Sequence, residues 1–430
     1  MSHLNHRMPS RAALAAIAAA VLLAACGSDD PQVSRGELVS DQHLVTLPRA
    51  AIDASTAASG AQPLTGAARC GVNLRKIVHT TTAPDGTQSR ASAALLTPVV
   101  DGTCPGPFPL VAYNRGTEVL KARTLASPTD PETGALAAFF AAQGYVVVAT
   151  DYLGYADSTL NFHPYLHADS QASTTIDSIR AARQALSSLG IPTSSRLFLT
   201  GYSQGGHAAM ATHRAIEADA SLGLTVTAAG PMSGPYDLTD SFQSSLAALP
   251  SGTAGSPVFT TMALTSFQRV YGNVYAAPSD VYKAPYATGI ETLLPGATPF
   301  NDLFTTGRLP VLLNDLITPA LVTAVGTTSS GVRQASDRNT LIGWRPVAPV
   351  LLCGGARDPV VLFRNTTRSA QSITQLGGSV TVVDVEQVPA FAAALPPANA
   401  TPQQLATYHG GVVPPLCMKV VRDNLFAALR

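Results

Sequence analysis

The pattern of apolar and polar positions changes character three times along the chain. Residues 27 to about 70 are rich in Ser, Ala and Asp with little periodicity, which predicts a tether leading into a folded domain. Two strand-like runs follow, at 72–82 and 91–97. Ala83-Pro84-Asp85-Gly86 between them carries the turn residues of a hairpin. Buried-type strands are then predicted at 108–113, 145–150, 197–199 and 225–229. Helices are predicted at 136–143 and 173–189, stopped by Gly144 and Gly190. Strands alternating with helices at this spacing argue for a parallel α/β sheet preceded by an antiparallel hairpin.

The alternation then breaks off. From about Tyr236 to Trp344 the chain reads as helical pieces cut by Pro250, Pro257, Pro278, Pro285, Pro295, Pro299, Pro310 and Pro319, as an inserted helical cap would. Strand patterns resume at 347–352 and 379–385, and a last helix is predicted at 416–429. The expected fold class is therefore α/β, an α/β-hydrolase fold with a mostly parallel sheet, an N-terminal antiparallel hairpin and an inserted helical cap. The expected divisions are a signal peptide at 1–25, a lipidated N-terminus and tether at 26–69, core at 70–235, cap at 236–345 and core again at 346–430.

Composition changes this picture in two places. Only 13% of the 430 residues are charged and the formal net charge is +0, so neither charge balance nor a basic run points to nucleic acid. At the N-terminus, His6-Arg7-Met8-Pro9-Ser10-Arg11 is a basic segment before an apolar stretch, residues 12–23, too short to span a bilayer. It ends in Leu23-Ala24-Ala25-Cys26, small residues followed by Cys, as in a bacterial lipobox; the bland alternative is an ordinary signal peptide with an incidental Cys. The expectation is lipidation of Cys26 and a membrane anchor. Gly27, rather than Asp, at the next position is compatible with export to the outer membrane or cell surface. Removing 1–25 leaves Cys70, Cys104, Cys353 and Cys417, an even number that allows three pairings in an oxidising compartment. Cys70–Cys104 with Cys353–Cys417 keeps each bridge within one end of the chain and is the expected set. With no C-x-x-C or His/Cys cluster, a structural zinc site is not expected.

The candidate chemistry centres on Arg196-Leu197-Phe198-Leu199-Thr200-Gly201-Tyr202-Ser203-Gln204-Gly205-Gly206-His207. A short apolar strand, a glycine-bracketed serine and a good helix former read as strand, sharp turn and helix, with Ser203 at the apex. Alone, the pattern is no more than a Gly-rich turn, so an acid, a histidine and a second oxyanion donor must come from elsewhere. Asp358, after the strand and glycines of Val350-Leu351-Leu352-Cys353-Gly354-Gly355, is the candidate acid; it is equally a normal helix N-cap before Pro359. Asp237 is the reserve. His409 is the single histidine after Asp358 and the candidate base, although a lone loop histidine is more often plain surface. His207 is assigned to packing beneath the turn, while His163, His167 and His213 lack a matching acid. The Gln204 N–H, at a helix N-terminus, and the Thr117 N–H of Asn114-Arg115-Gly116-Thr117 are the candidate oxyanion donors. Arg115 alternatively forms an ion pair with Asp151.

These motifs, with Asp151-Tyr152-Leu153-Gly154 and His163-Pro164-Tyr165-Leu166, resemble the secretory lipase (lipase A-like) family of α/β-hydrolases, in a bacterial lipoprotein branch. The resemblance spans roughly residues 70–430. It implies a monomeric serine carboxylic-ester hydrolase with a Ser203–His409–Asp358 triad, an acyl-enzyme, a small-molecule or lipid ester as substrate and no metal or organic cofactor. The cap departs from the family in lacking long unbroken apolar helices, which argues against interfacial activation on fats. Two other functions fit less of the sequence: a serine peptidase on the same fold, and a catalytically silent surface-binding lipoprotein.

Overall fold

A computed structural model describes residues 35–430. Nine strands, β1 (Leu38–Leu47), β2 (Val72–Thr82), β3 (Gln88–Pro98), β4 (Phe108–Asn114), β5 (Val146–Thr150), β6 (Thr193–Tyr202), β7 (Ala228–Met232), β8 (Val350–Gly354) and β9 (Val380–Asp384), form one sheet. Their order is β1-β2-β3-β5-β4-β6-β7-β8-β9. β1 to β3 pair antiparallel, and β3 meets β5 antiparallel. From β5 through β4 to β9 every pairing is parallel. This is an α/β-hydrolase fold, as the alternation of elements predicts.

The central strands are apolar on both faces because helices cover both. Along β4, Val111 and Tyr113 pack with Phe139, Phe140 and Val421 on one side; Leu110 and Ala112 pack with Ile176, Ile179 and Ala182 on the other. β5 divides the same way, Val147 and Ala149 against Val146 and Val148, and β6 places Phe198 opposite Leu197 and Leu199. Side chains that alternate faces along a strand thus feed two separate cores. Parallel strands align their C-terminal ends, so the loops after β4, β6 and β8 gather along one edge, where a site is expected in such sheets.

Several boundaries differ from the sequence expectation. Residues 38–65 are not a tether: β1 adds to the edge of β2, and the helices Arg49–Ala58 and Gln62–Thr65 follow it. β1 carries Ser, Asp, Gln, His and Thr because it is a largely exposed edge strand, so the apolar alternation that marks a strand is missing. β7 begins three residues later than predicted, its paired register with β6 running from Ala228 to Met232. β8 likewise starts at Val350, after Pro349. The helix Ala168–Ser188 starts five residues earlier than expected, and the last helix is interrupted: Val413–Val421 gives way to a π-helical turn at Arg422–Phe426.

Between β7 and β8 the chain is helical, in pieces such as Leu238–Ala247, Ser256–Tyr271, Pro319–Gly326 and Gly331–Arg338. These pack around a core of their own, including Val258, Phe267, Leu303, Leu313 and Val332, which takes in Val119 and Tyr165 from the loops after β4 and β5. Among the described residues no helix is long and apolar enough to cross a membrane. The expected signal peptide and Cys26 lie outside the described residues.

Candidate active site

Ser203 sits between the end of β6 and the helix Gln204–Ala218, with φ 57° and ψ −119°. A non-glycine residue held at such a φ carries about 1–3 kcal/mol of backbone strain, stored where the turn is sharpest. The turn closes only because its neighbours are small: a Cβ on Gly205 would overlap the Asn114 carbonyl at the end of β4. Ser203 is thereby held at the mouth of the site, 9% exposed.

His409 and Asp358 reach Ser203 from opposite ends of the C-terminal segment. His409 Nε2 lies 2.8 Å from Ser203 Oγ, and its Nδ1 lies 2.6 Å from Asp358 Oδ2. With Nδ1 facing a carboxylate it is the proton-bearing nitrogen, leaving Nε2 to accept from the Ser203 hydroxyl. Asp358 caps no helix, since the next one begins at Arg364; instead its Oδ1 accepts from the Val360 and Val361 N–H groups of the turn that follows, at 2.9 and 3.1 Å. Those bonds fix the carboxylate so that Oδ2 faces His409. Asp237 is placed elsewhere: it caps the helix Leu238–Ala247 and pairs with Arg368 Nη2 at 2.7 Å.

The loops bearing Asp358 and His409 are tied together by one disulfide of the expected set and by hydrogen bonds that sequence alone does not reveal. Cys353 and Cys417 form a fully buried disulfide, and Cys70–Cys104 forms the second. Glu386 Oε1 accepts from Arg357 Nε at 2.9 Å, from the Arg357 N–H at 3.2 Å and from the Tyr408 hydroxyl at 2.5 Å. Arg357 precedes Asp358 and Tyr408 precedes His409, so one carboxylate holds both loops. The Tyr408 ring needs Gly355, where a Cβ would overlap its hydroxyl. The Tyr202 hydroxyl, on the strand that delivers Ser203, donates to the His409 carbonyl oxygen. Glu386 falls in an aperiodic stretch after β9 and carries no sequence signal. Tyr202 and Tyr408, by contrast, each adjoin a candidate catalytic residue.

On the other side of Ser203, the Gln204 and Thr117 N–H groups have no hydrogen-bond partner among the described residues. The loop bearing Thr117 runs beside Ser203: the Cβ position at Gly116 is 3.6 Å from the Tyr202 carbonyl oxygen and 4.0 Å from Ser203 Cβ. Thr117 Oγ1 is 2.9 Å from the Tyr165 hydroxyl. The Gln204 amide donates to His163 Nε2 at 2.7 Å, while His163 Nδ1–H donates to the Leu153 carbonyl at 2.8 Å. Burial lowers the His163 pKa to about 3, so the ring stays neutral and able to accept. His163 is therefore closer to the site than its lack of an acid partner implied.

The Thr117 loop rests on buried ion pairs. Arg115, with a fully buried side chain, reaches Glu118 at 3.3 Å and Asp151 at 3.7 Å. Arg123 joins Glu118, Asp130 and Glu132 at 2.5, 2.7 and 3.3 Å. Burial pushes the Asp151 carboxyl up from its ordinary range, and Arg115 opposes that shift. His207 is fully buried beneath the turn, donating to the Asn339 carbonyl at 2.8 Å, and burial lowers its pKa to about 4. His213 does find an acid, Glu217 at 2.7 Å one helical turn on. Among the described residues no cluster of His, Cys, Asp or Glu is arranged to hold a metal.

Two cavities meet at Ser203. One, of about 90 Å³, runs beneath the cap past Gln204, Leu238, Phe242, Ala263 and Leu362. The other, of about 730 Å³, is a groove lined by Tyr113, Thr117, Tyr202, His409 and Met418. Thr56 and Ser59, from the segment expected to be a tether, form part of its wall.

The fold and the comparisons together define a carboxylic-ester hydrolase. The family model for secretory lipases matches residues 121–256, and the chain belongs to that family. It is similar to the rice cell wall degrading esterase LipA from Xanthomonas oryzae, at 34% identity over 92% of this chain and 100% of that one, with a TM-score of 0.83. Two more distant structures share the fold. A putative hydrolase from Legionella pneumophila matches at 23% identity over 81% of this chain and 91% of that one, with a TM-score of 0.72. Candida antarctica lipase A in its closed state matches at 14% identity over 82% and 79%, with a TM-score of 0.56. No curated protein sequence matches the chain.

Proposed function

We propose that the protein cleaves carboxylic esters in two acyl-transfer steps, with Ser203 as nucleophile, His409 as base and Asp358 orienting the imidazole. The observation that carries this reading is the unbroken hydrogen-bond path from Asp358 Oδ2 through His409 to Ser203 Oγ, at 2.6 and 2.8 Å. His409 takes the Ser203 proton as the alkoxide attacks the ester carbonyl carbon. The carbonyl oxygen becomes an oxyanion that accepts from the Gln204 and Thr117 N–H groups. Collapse of the tetrahedral species breaks the bond to the alcohol oxygen, which takes its proton from the His409 imidazolium. Water, deprotonated by His409, then releases the acid and restores Ser203.

Because the leaving oxygen must be protonated by His409, the alcohol portion belongs on the His409 side of Ser203. His409 lines the large groove, so the groove holds the alcohol and the smaller space beside the cap holds the acyl chain. A small acyl group on a bulky alcohol is the ester this fits, and an acylated cell-wall polymer, by analogy with the Xanthomonas relative, is the natural substrate we favour. Core at 70–235 and 346–430 carries the chemistry in this reading, and a cap at 236–345 closes the acyl side. Membership of a secretory family supports export, with cleavage of a signal peptide and lipidation at Cys26 as its proposed form.

A p-nitrophenyl ester series from acetate to palmitate tests the reading. Wild-type protein should show a burst of p-nitrophenol close to one per active site and steady turnover greatest for the short acyl groups. Ser203→Ala should do neither. Wild-type protein that hydrolyses none of the series above the blank would overturn it.

A further inference from the structure

Two residues mark the boundary between the two cavities. Of the described residues lining either space, only Ser203 and Phe259 face both. Ser203 lies where the two spaces meet and carries the reacting oxygen; Phe259 belongs to the cap helix Ser256–Tyr271 and closes the boundary from that side. We propose that Phe259 sets the acyl-chain limit of this enzyme, ending the acyl cavity at a wall that only short chains fit behind. The inference rests on the acyl-transfer reading and extends it to substrate class: short-chain acyl esters of bulky alcohols.

The ring is half-buried between its own helix and Phe300. The helix that carries it is anchored by buried Pro257, Val258, Thr260 and Ala263. Gly255, at φ 73°, leaves room behind the ring, since its Cβ position lies 2.8 Å from Phe259 Cε2 and 3.3 Å from Phe300 Cζ. Phe300 packs against Phe259 with ring centroids 6.0 Å apart and itself lines the groove. The half-buried Phe259 ring, with the exposed Phe300 beside it, narrows the boundary between the two spaces. The ring crowds a long acyl chain in a space of about 90 Å³, and removing it would open that space toward the groove of about 730 Å³.

The ratio of kcat/KM for p-nitrophenyl octanoate to that for the butyrate tests this, because a ratio within one variant is insensitive to overall loss of activity. In Phe259→Ala the ratio should rise about tenfold or more over wild type, in line with the roughly 10- to 200-fold effects that pocket walls exert on chain length. Phe259→Leu, which keeps an apolar core if the alanine variant folds poorly, should give a smaller rise. Phe300→Ala, which removes the buttress alone, should raise it less still. An unchanged ratio in variants that still hydrolyse butyrate would overturn the partition while leaving the ester-hydrolase reading intact. Wild-type protein without ester hydrolysis would instead overturn the reading on which it rests.

Discussion

The two sides of Ser203 are held by different physics. On the base side, Asp358 and His409 come from loops far apart in sequence; a buried disulfide and the Glu386 carboxylate tie them together, and the Tyr202 hydroxyl ties His409 to the strand before Ser203. On the oxyanion side, Arg115, Glu118, Arg123 and Asp130 follow one another closely in the chain, and buried ion pairs suffice. The contrast follows from chain entropy. Loops that are distant in sequence drift unless cross-linked, whereas a compact local loop needs only its charges neutralised and its N–H groups aimed. The base side should therefore be sensitive to redox state in its catalysis, and the oxyanion side to loss of charge in its stability.

The largest effect should come from the reacting groups themselves. Ser203→Ala and His409→Ala are each expected to lower kcat about 10³-fold or more, and the double variant little further, because the residues act as one unit. Asp358→Asn should also be severe, while Asp237→Asn should keep near wild-type kcat and lose stability with its Arg368 pair. Steady-state kinetics with circular dichroism melts on the same preparations checks both; the reverse pattern for the two aspartates would reassign the acid.

Breaking the oxyanion side should register as stability. Arg115→Met leaves Asp151 buried without a guanidinium and Glu118 with Arg123 alone, and loss of about 3–5 kcal/mol in denaturant unfolding is expected. Breaking the base side should register in turnover as well. Cys417→Ser should cost about 2–4 kcal/mol and also lower kcat, whereas Cys70→Ser, remote from the site, should cost stability alone. Glu386→Gln should lower kcat severalfold with KM little changed, since it loosens the hold on Arg357 and Tyr408 but touches no substrate. Equal kcat losses on reducing either bridge would remove the contrast between the two.

How much of this was legible in the sequence follows the same division. The nucleophile turn, the acid after a late strand and the sole histidine beyond it carry local patterns, and they lie within hydrogen-bonding reach of one another. Arg115 with Asp151 could be anticipated because both end neighbouring strands. Glu386 could not, because a carboxylate that accepts from two loops has no periodicity or spacing to betray it. The groove wall at Thr56 and Ser59 was hidden by a polar edge strand, whose order comes from pairing with β2 rather than from its own composition. Phe259 reads as one more apolar residue of a helix until the two cavities on either side of it are seen.

A smaller, global effect concerns pH. His79, His163 and His207 are buried, and burial lowers their pKa values to about 4, 3 and 4. In the unfolded chain each titrates near 6.5, so below that pH the unfolded state binds more protons than the folded one. Their stabilising contribution is complete above about 6.5 and is lost as the pH falls toward 4. Unfolding free energy should fall from pH 7 to pH 5, and His207→Gln should flatten that slope, as urea titrations at the two pH values would reveal.

The central claim is that Ser203 is the activated nucleophile of an acyl-enzyme. Mass spectrometry of the protein after brief exposure to a fluorophosphonate tests it most directly. One adduct per chain is expected, on the peptide containing Ser203, and none in Ser203→Ala or in wild type pre-treated with a slowly released acyl ester. Active wild-type protein that takes up no adduct, or carries it on another residue while Ser203 stays free, would contradict the claim.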